Sequence, residues 1–250
     1  MTVHYDDLRV DWLGYATVRI EAPDGTVVYL DPGRYGVLDD YDARGGIPAR
    51  EASGGSSDQW SDGDLVCVSH VHHYDSDGIE RVAREDATVL VHEAVHHSET
   101  DRDVTPVRDL PYDTRRVDDE LDDLIDDVIV RTTAAYNHPD GPHTRPDGTP
   151  IHPEGTGCGF LLDFDGTTVF WTGDTDVLDG HAELDVDLLL VPIGGTYTMD
   201  RESAADLAEA MDPGLVVPIH YDTFEAIEAD AEAFADDLEQ RGVPVSLAEK

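Results

Sequence analysis

Apolar residues in this chain come in short runs bounded by turn formers, a pattern of strands rather than of long helices. Near the N-terminus, LRVDWL (8–13), ATVRIEA (16–22) and TVVYLD (26–31) read as strands, and APDG (22–25) has the composition of a hairpin turn. Residues 33–63 lose all periodicity and are rich in Gly, Ser and Asp, which predicts a long surface loop. LVCVS (65–69) resumes as a buried strand, residues 78–85 read as a helix, and TVLVHE (88–93) reads as a strand.

The second half repeats this alternation. An acidic stretch, 117–127, leads into VIVRTTAAY, and GFLLDF and TTVFWTGD flank a DG turn at 165–166. VDLLLVPI and GLVVPIH read as strands. DRESAADLAEAM predicts an amphipathic helix with Asp200 as N-cap, and FEAIEADAEAFADDLEQ a second helix stopped by Gly242 and Pro244. Hairpins followed by strand–helix alternation predict mixed sheets covered by helices, in one α/β or α+β domain spanning residues 1–250.

Composition changes the picture of the surface. The 250 residues carry 56 Asp plus Glu against 16 Lys plus Arg, a net charge of −40, and the single lysine is Lys250. A polyanion or an anionic membrane surface would be repelled, which argues against nucleic-acid and membrane partners. The 40% apolar content still supports a folded core. Self-repulsion of this size is tolerable where salt screens it, since the Debye length falls to about 3 Å at about 1 M. Abundant Asp with almost no Lys therefore points to a high-salt, halophilic cytoplasm, the alternative being an acidic protein from an ordinary cell. The N-terminus has no signal-peptide pattern, and no apolar run is long enough for a membrane span. Cys67 and Cys158 lie in apolar segments. A disulfide would fit them, but their apolar surroundings favour buried reduced thiols.

The candidate chemistry follows a buried strand, in SHVHHYDSDG (69–78). His70 and His72 could face one metal ion if the turn is irregular, and imidazole nitrogen with carboxylate oxygen suits zinc and similar divalent ions. A polar turn capping the next helix through Asp75 or Asp77, with Asp77 favoured, accounts for the aspartates but not for the histidines. Further candidates stand at other strand ends: His152 before GCGFLLDF, Asp174 in FWTGDTD and His220 closing GLVVPIH. His92, His96 and His97 either line the cleft or lie on the surface, with the surface favoured, and His138 and His143 sit in a Pro/Gly-rich loop that either borders the pocket or is flexible and solvated, with the latter favoured. Tyr197 is either a substrate contact or a packing residue.

WLGYATVRIE, DGTVVYLDP, SHVHHYD, HPEGTGCGFLLDFDG, VFWTGDTD, DLLLVPIGGTYTMD and VVPIHYDTF, in that order over about residues 11–224, resemble the metallo-β-lactamase superfamily. Within it they are similar to hydrolases related to ascorbate-6-phosphate lactonase. The resemblance implies a four-layer αββα sandwich of two mixed β-sheets with one or two metal ions, zinc or manganese. It implies His70, His72 and His152 on the first metal, Asp174 bridging, and His220 on the second. The superfamily motif H-x-H-x-D-H is altered here. Counted without a gap, Tyr74 takes the Asp position and Asp75 the last His. With a one-residue bulge, Asp75 takes the Asp role and His72 or His73 the second His, leaving Ser76 last. Tyr15 likewise stands where a histidine often follows WLG.

These residues imply a hydrolase that activates water at a metal and acts on a small ester, lactone or phosphoester, with Asp75 orienting that water or ligating directly. The alternatives are a binding protein of the same fold, non-catalytic or reduced to one metal, and a metallo-nuclease. The expected partner is a small-molecule substrate, and the sequence leaves room for a homo-oligomer.

Overall fold

The computed structural model describes residues 2–39 and 61–247, so positions 40–60 of the loop expected across 33–63 lie outside the described residues. The chain divides into two compact units. The first contains 1–91 and 95–116, the second 92–94 and 117–250.

The first unit is built on a seven-stranded mixed sheet in chain order. β1 (Thr2–Tyr5), β2 (Leu8–Gly14), β3 (Thr17–Glu21) and β4 (Val27–Leu30) form an antiparallel meander. The APDG segment makes the expected turn, with Gly25 at φ 94°, a left-handed conformation that glycine adopts without strain. β4 then pairs in parallel with β5 (Gly63–Val68), and β5 with β6 (Ala83–His92). The parallel β5–β6 pair needs a crossover, which α1 (Ser76–Val82) supplies. The sheet ends in β7 (Asp113–Val117).

Helix α1 is displaced from its expected span of 78–85. It begins two residues earlier, and the backbone is already extended at Ala83. Arg84, Glu85 and Asp86, helix-like in composition, are exposed residues of β6, whose buried part begins at Ala87. Its cap is Asp75, not Asp77: the Asp75 carboxylate accepts from the Gly78 amide, while Asp77 lies exposed in the first turn.

The second unit holds a six-stranded sheet, ordered β13-β12-β11-β10-β9-β8. The acidic stretch at 117–127 contains a strand, β8 (Asp122–Ile125), paired with β9 (Val128–Ala134). β10 (Cys158–Phe164) and β11 (Thr167–Trp171) form a hairpin in which Asp165 and Gly166 both take positive φ, as a two-residue turn between right-twisted strands requires. β11, β12 (Leu188–Pro192) and β13 (Leu215–Ile219) run parallel, with α2 (Arg201–Met211) crossing between the last two. Every residue of β12 is buried, as expected for a central parallel strand.

Asp200 caps α2 through the Ser203 amide, as its sequence predicts. The final helix, α3 (Ala231–Arg241), starts later than the 224–240 pattern suggested. Residues 225–227 form a 3₁₀ turn, and Asp230 then opens a new helix by accepting from the Ala233 amide. Gly242, at φ 83°, ends it. Cys67 and Cys158 are both buried and not disulfide-bonded. No described helix is long and apolar enough to cross a membrane.

Candidate functional site

In the first unit the ligand-type side chains gather where β4 and β5 end. Asp31 follows β4 with φ 44°, and its carboxylate accepts from both the amide and the hydroxyl of Ser69, each at 2.7 Å. Thr17 holds this bend from beneath: its hydroxyl donates to the Asp31 carbonyl at 2.8 Å and accepts from the Gly33 amide at 3.1 Å. The same Asp31 Oδ2 lies 2.9 Å from His73 Nδ1. Ser69 Oγ is 3.0 Å from His70 Nδ1.

This network assigns the ring protons. The Ser69 hydroxyl spends its one hydrogen on Asp31, so towards His70 it acts as an acceptor, and the carboxylate of Asp31 accepts from His73. Both rings therefore carry their proton on Nδ1 and present Nε2 as the lone-pair nitrogen. His70 and His73 are buried, with ring centroids 4.2 Å apart, while exposed His72 stands edge-on to His70 at 5.1 Å. Tyr15, buried at φ 50°, packs edge-on against His73 at 5.0 Å.

Tyr74 and Asp75 behave differently from the histidines before them. Tyr74 is fully buried in the apolar cluster of this unit, and its hydroxyl donates to the Thr105 carbonyl at 2.5 Å. Burial pushes its phenol up to about 12. Asp75 accepts from the Gly78 amide through Oδ1 at 3.1 Å and from the Arg34 amide through Oδ2 at 2.8 Å. It ties the 32–34 turn to the start of α1. That turn and helix touch closely, since a Cβ on Gly78 would lie 2.3 Å from the Pro32 carbonyl oxygen.

In the second unit three residues converge. Asp174 follows β11, His220 follows β13 at φ 57°, and His152 precedes β10; all are buried. His152 Nε2 lies 3.5 Å from Asp174 Oδ2, and His220 Nε2 lies 3.4 Å from Asp174 Oδ1. His152 Nδ1 is 3.2 Å from the Tyr197 carbonyl, which can only accept, so the ring proton is on Nδ1. A neutral His152 then turns a lone pair towards a carboxylate oxygen. Two acceptors face each other there, an arrangement that a cation between them, or a shared proton, reconciles. Imidazole nitrogen and carboxylate oxygen are the donors that zinc and similar divalent ions take, so the residues fit a metal.

Behind His152 lies a buried polar network. Asn137 is fully buried; its carbonyl accepts from the His152 amide at 2.9 Å, and its amide group donates to Asp176 Oδ1 at 3.1 Å and to the Tyr197 carbonyl at 3.0 Å. Asp176 also accepts from the His138 amide at 2.9 Å, and its Oδ1 lies 2.5 Å from His143 Nδ1. His143 Nε2 is 3.0 Å from the Gly195 carbonyl. Both ring nitrogens of His143 thus face acceptors, which favours the doubly protonated ring. The bond to Asp176 raises its pKa against the opposing effect of burial. Burial likewise acts to raise the Asp176 carboxyl, but His143 and the His138 amide outweigh it and hold the pKa low.

Residues 9–220 match the family described as Beta-lactamase superfamily domain. The chain belongs to that family. A protein named metal-dependent hydrolase from Carboxydothermus hydrogenoformans is 43% identical over 94 residues, a match covering 36% of this chain and 42% of that relative, less than half of its length. A protein of the same name from Thermococcus kodakarensis is 30% identical over 179 residues, or 68% of this chain and 72% of its own. Among solved structures, Igni18, a metallo hydrolase from Ignicoccus hospitalis, aligns with a TM-score of 0.64 at 22% identity over 97% of this chain and 95% of that one. The shared architecture is the metallo-β-lactamase fold.

Against this superfamily background, the structure places the expected residues in two groups: His70, His72 and Asp75 in the first unit, and His152, Asp174 and His220 in the second. It also shows residues that the sequence reading passed over. Asp31, in YLDPG, and Asn137, in AYNHPDG, are polar residues just past apolar strands, the same signal that flagged Asp174. His143 is a correction. It is buried and clamped between Asp176 and Gly195, not part of a solvated loop. His96, His97 and His138 are exposed, but His92 is buried and accepts from the Ala94 amide at 3.2 Å.

Proposed function

We propose that this chain is a metal-dependent hydrolase acting on a small ester, lactone or phosphoester. The observation that carries the reading is the convergence of His152 and His220 on the two oxygens of Asp174, with the His152 proton committed to Tyr197. The names of the relatives support it. Following the superfamily motifs, His70, His72, His152, Asp174 and His220 serve as ligands to one or two divalent ions, zinc first and manganese second. When bound, such an ion lowers the pKa of a coordinated water from about 15.7 to about 7, giving a nucleophile at neutral pH.

The side chains supply the rest. Asp31 and Ser69 hold the His70 and His73 rings, and Asn137, Asp176 and Tyr197 hold that of His152. Such outer partners keep ligand rings in one tautomer and orientation. Asp75, with an amide bond on each oxygen, fixes the histidine turn against α1; this geometry supports a positioning role over direct ligation. The acid-rich surface supports a small, uncharged or cation-screened substrate over a nucleic acid, and a high-salt cytoplasm as the setting. The displacement of Tyr74 into the core supports the second reading, a binding protein of this fold reduced to one metal.

The test is turnover of chromogenic ester, lactone and phosphodiester reporters before and after chelation. Loss on chelation and recovery with zinc or manganese is expected. Hydrolysis that is indifferent to chelation would overturn the proposal.

A further inference from the structure

We infer that His73 is a metal ligand, taking up the donor role that the altered motif withholds at Tyr74. The inference rests on the metal-dependent reading above and deepens it: counted without a gap, the superfamily motif assigns no ligand to this position, and with a bulge it leaves His72 and His73 as alternatives, whereas here both are ligands.

After β5 the chain turns, with the His73 amide donating to the His70 carbonyl at 3.2 Å. The turn folds His73 back beside His70, with centroids 4.2 Å apart and planes inclined by 64°. The next residue, Tyr74, leaves in the other direction and enters the apolar cluster with Val66, Val68 and Ile79. Asp75 is then consumed in capping α1. Of the three positions 73–75, only His73 stays with the ligand-type residues.

Its surroundings match those of a ligand. His73 is 1% exposed, and its Nδ1 is held by Asp31 at 2.9 Å. A carboxylate on one ring nitrogen is the usual outer partner of a metal-bound imidazole, because it fixes the tautomer and raises the basicity of the other nitrogen. His70 is held by the same network through Ser69 Oγ, so one carboxylate orients both rings with Nε2 as the donor atom. A histidine that merely filled the core would gain nothing from a neighbour of its own kind in this tautomer. Two Nε2 lone pairs on adjacent buried rings gain a great deal from a cation.

The experiment is the imidazole ¹⁵N spectrum of zinc-loaded, histidine-labelled protein, which counts coordinated rings, recorded with zinc titrations of the wild type and His73→Gln. Five coordinated rings are expected: His70, His72, His73, His152 and His220. His73→Gln should lower the count by one and weaken binding of one zinc ion by more than the roughly 10- to 100-fold that loss of an outer partner costs. An unchanged count and affinity in the variant would overturn the inference. If the variant does not fold, the wild-type count decides alone: five rings support it, and four or fewer overturn it. No zinc bound to the wild type at all would instead defeat the metal-dependent reading.

Discussion

Asp31 Oδ2 stands 2.9 Å from His73 Nδ1 and at the same time accepts the Ser69 hydroxyl at 2.7 Å, so a single carboxylate at the end of β4 organises the histidine turn at the end of β5. The left-handed backbone at Asp31 is what points this side chain across to its neighbour strand. Asp31→Asn keeps the shape but replaces one acceptor oxygen with a donor. The expected result is a stability loss of about 1–3 kcal/mol in denaturant melts, from buried groups left mispaired. Metal affinity should fall about 10- to 100-fold. A variant with wild-type affinity would remove Asp31 from the account.

The His143–Asp176 pair predicts a pH dependence with a definite sign. The His143 pKa is raised above the ordinary 6.5, so its contribution is complete below 6.5 and fades as pH rises through the folded value. The Asp176 pKa is lowered below 3.8, so its contribution is complete above 3.8 and lost as pH falls through the folded value. Melting temperature measured across pH should therefore decline on the alkaline side, and His143→Gln should flatten that limb. An alkaline limb identical in both proteins contradicts the clamp.

Asp75→Ala separates positioning from ligation. Loss of an N-cap costs about 1 kcal/mol, and here the Arg34 amide loses its acceptor as well. Thermal melts should show that loss while metal content stays at the wild-type level. A variant of normal stability that has lost one metal ion would make Asp75 a direct ligand.

Salt should stabilise this chain. Between dilute buffer and about 1 M potassium chloride the Debye length shrinks from tens of ångströms to about 3 Å, removing most of the repulsion among acidic residues. With a net charge of −40, the melting temperature should climb steadily over that range. A flat or falling response would contradict the high-salt setting.

How far the sequence could be read depended on which interactions set each element. The strands that carry the site were legible because β5, β12 and β13 are buried and hence continuously apolar. The Asp165–Gly166 turn was legible because its backbone demands those residues. β7 and β8 were not, since DTRRV and DDLI are mostly exposed and their charges hide the alternation. The α1–β6 boundary failed for a related reason: Arg84–Asp86 are polar whether helical or extended.

The candidate site divides along the same line. His70, His152, Asp174 and His220 stand out as polar residues bordering apolar strands. Asp31 and Asn137 have the same sequence character, but their partners, Ser69 and His152, are distant in the chain and become visible only with the fold. For His73 and Tyr74, which side chain enters the core is decided by a turn, and a spacing rule that counts residues has no access to it.

The central claim is that the buried imidazoles and Asp174 hold a catalytic metal, and metal analysis of protein purified without chelator, coupled to turnover on reporter substrates, tests it most directly. The account predicts at least one divalent ion per chain, with metal content and turnover falling together in Asp174→Asn. Less than about half an ion per chain in the folded wild type, together with no turnover on any reporter, would contradict it.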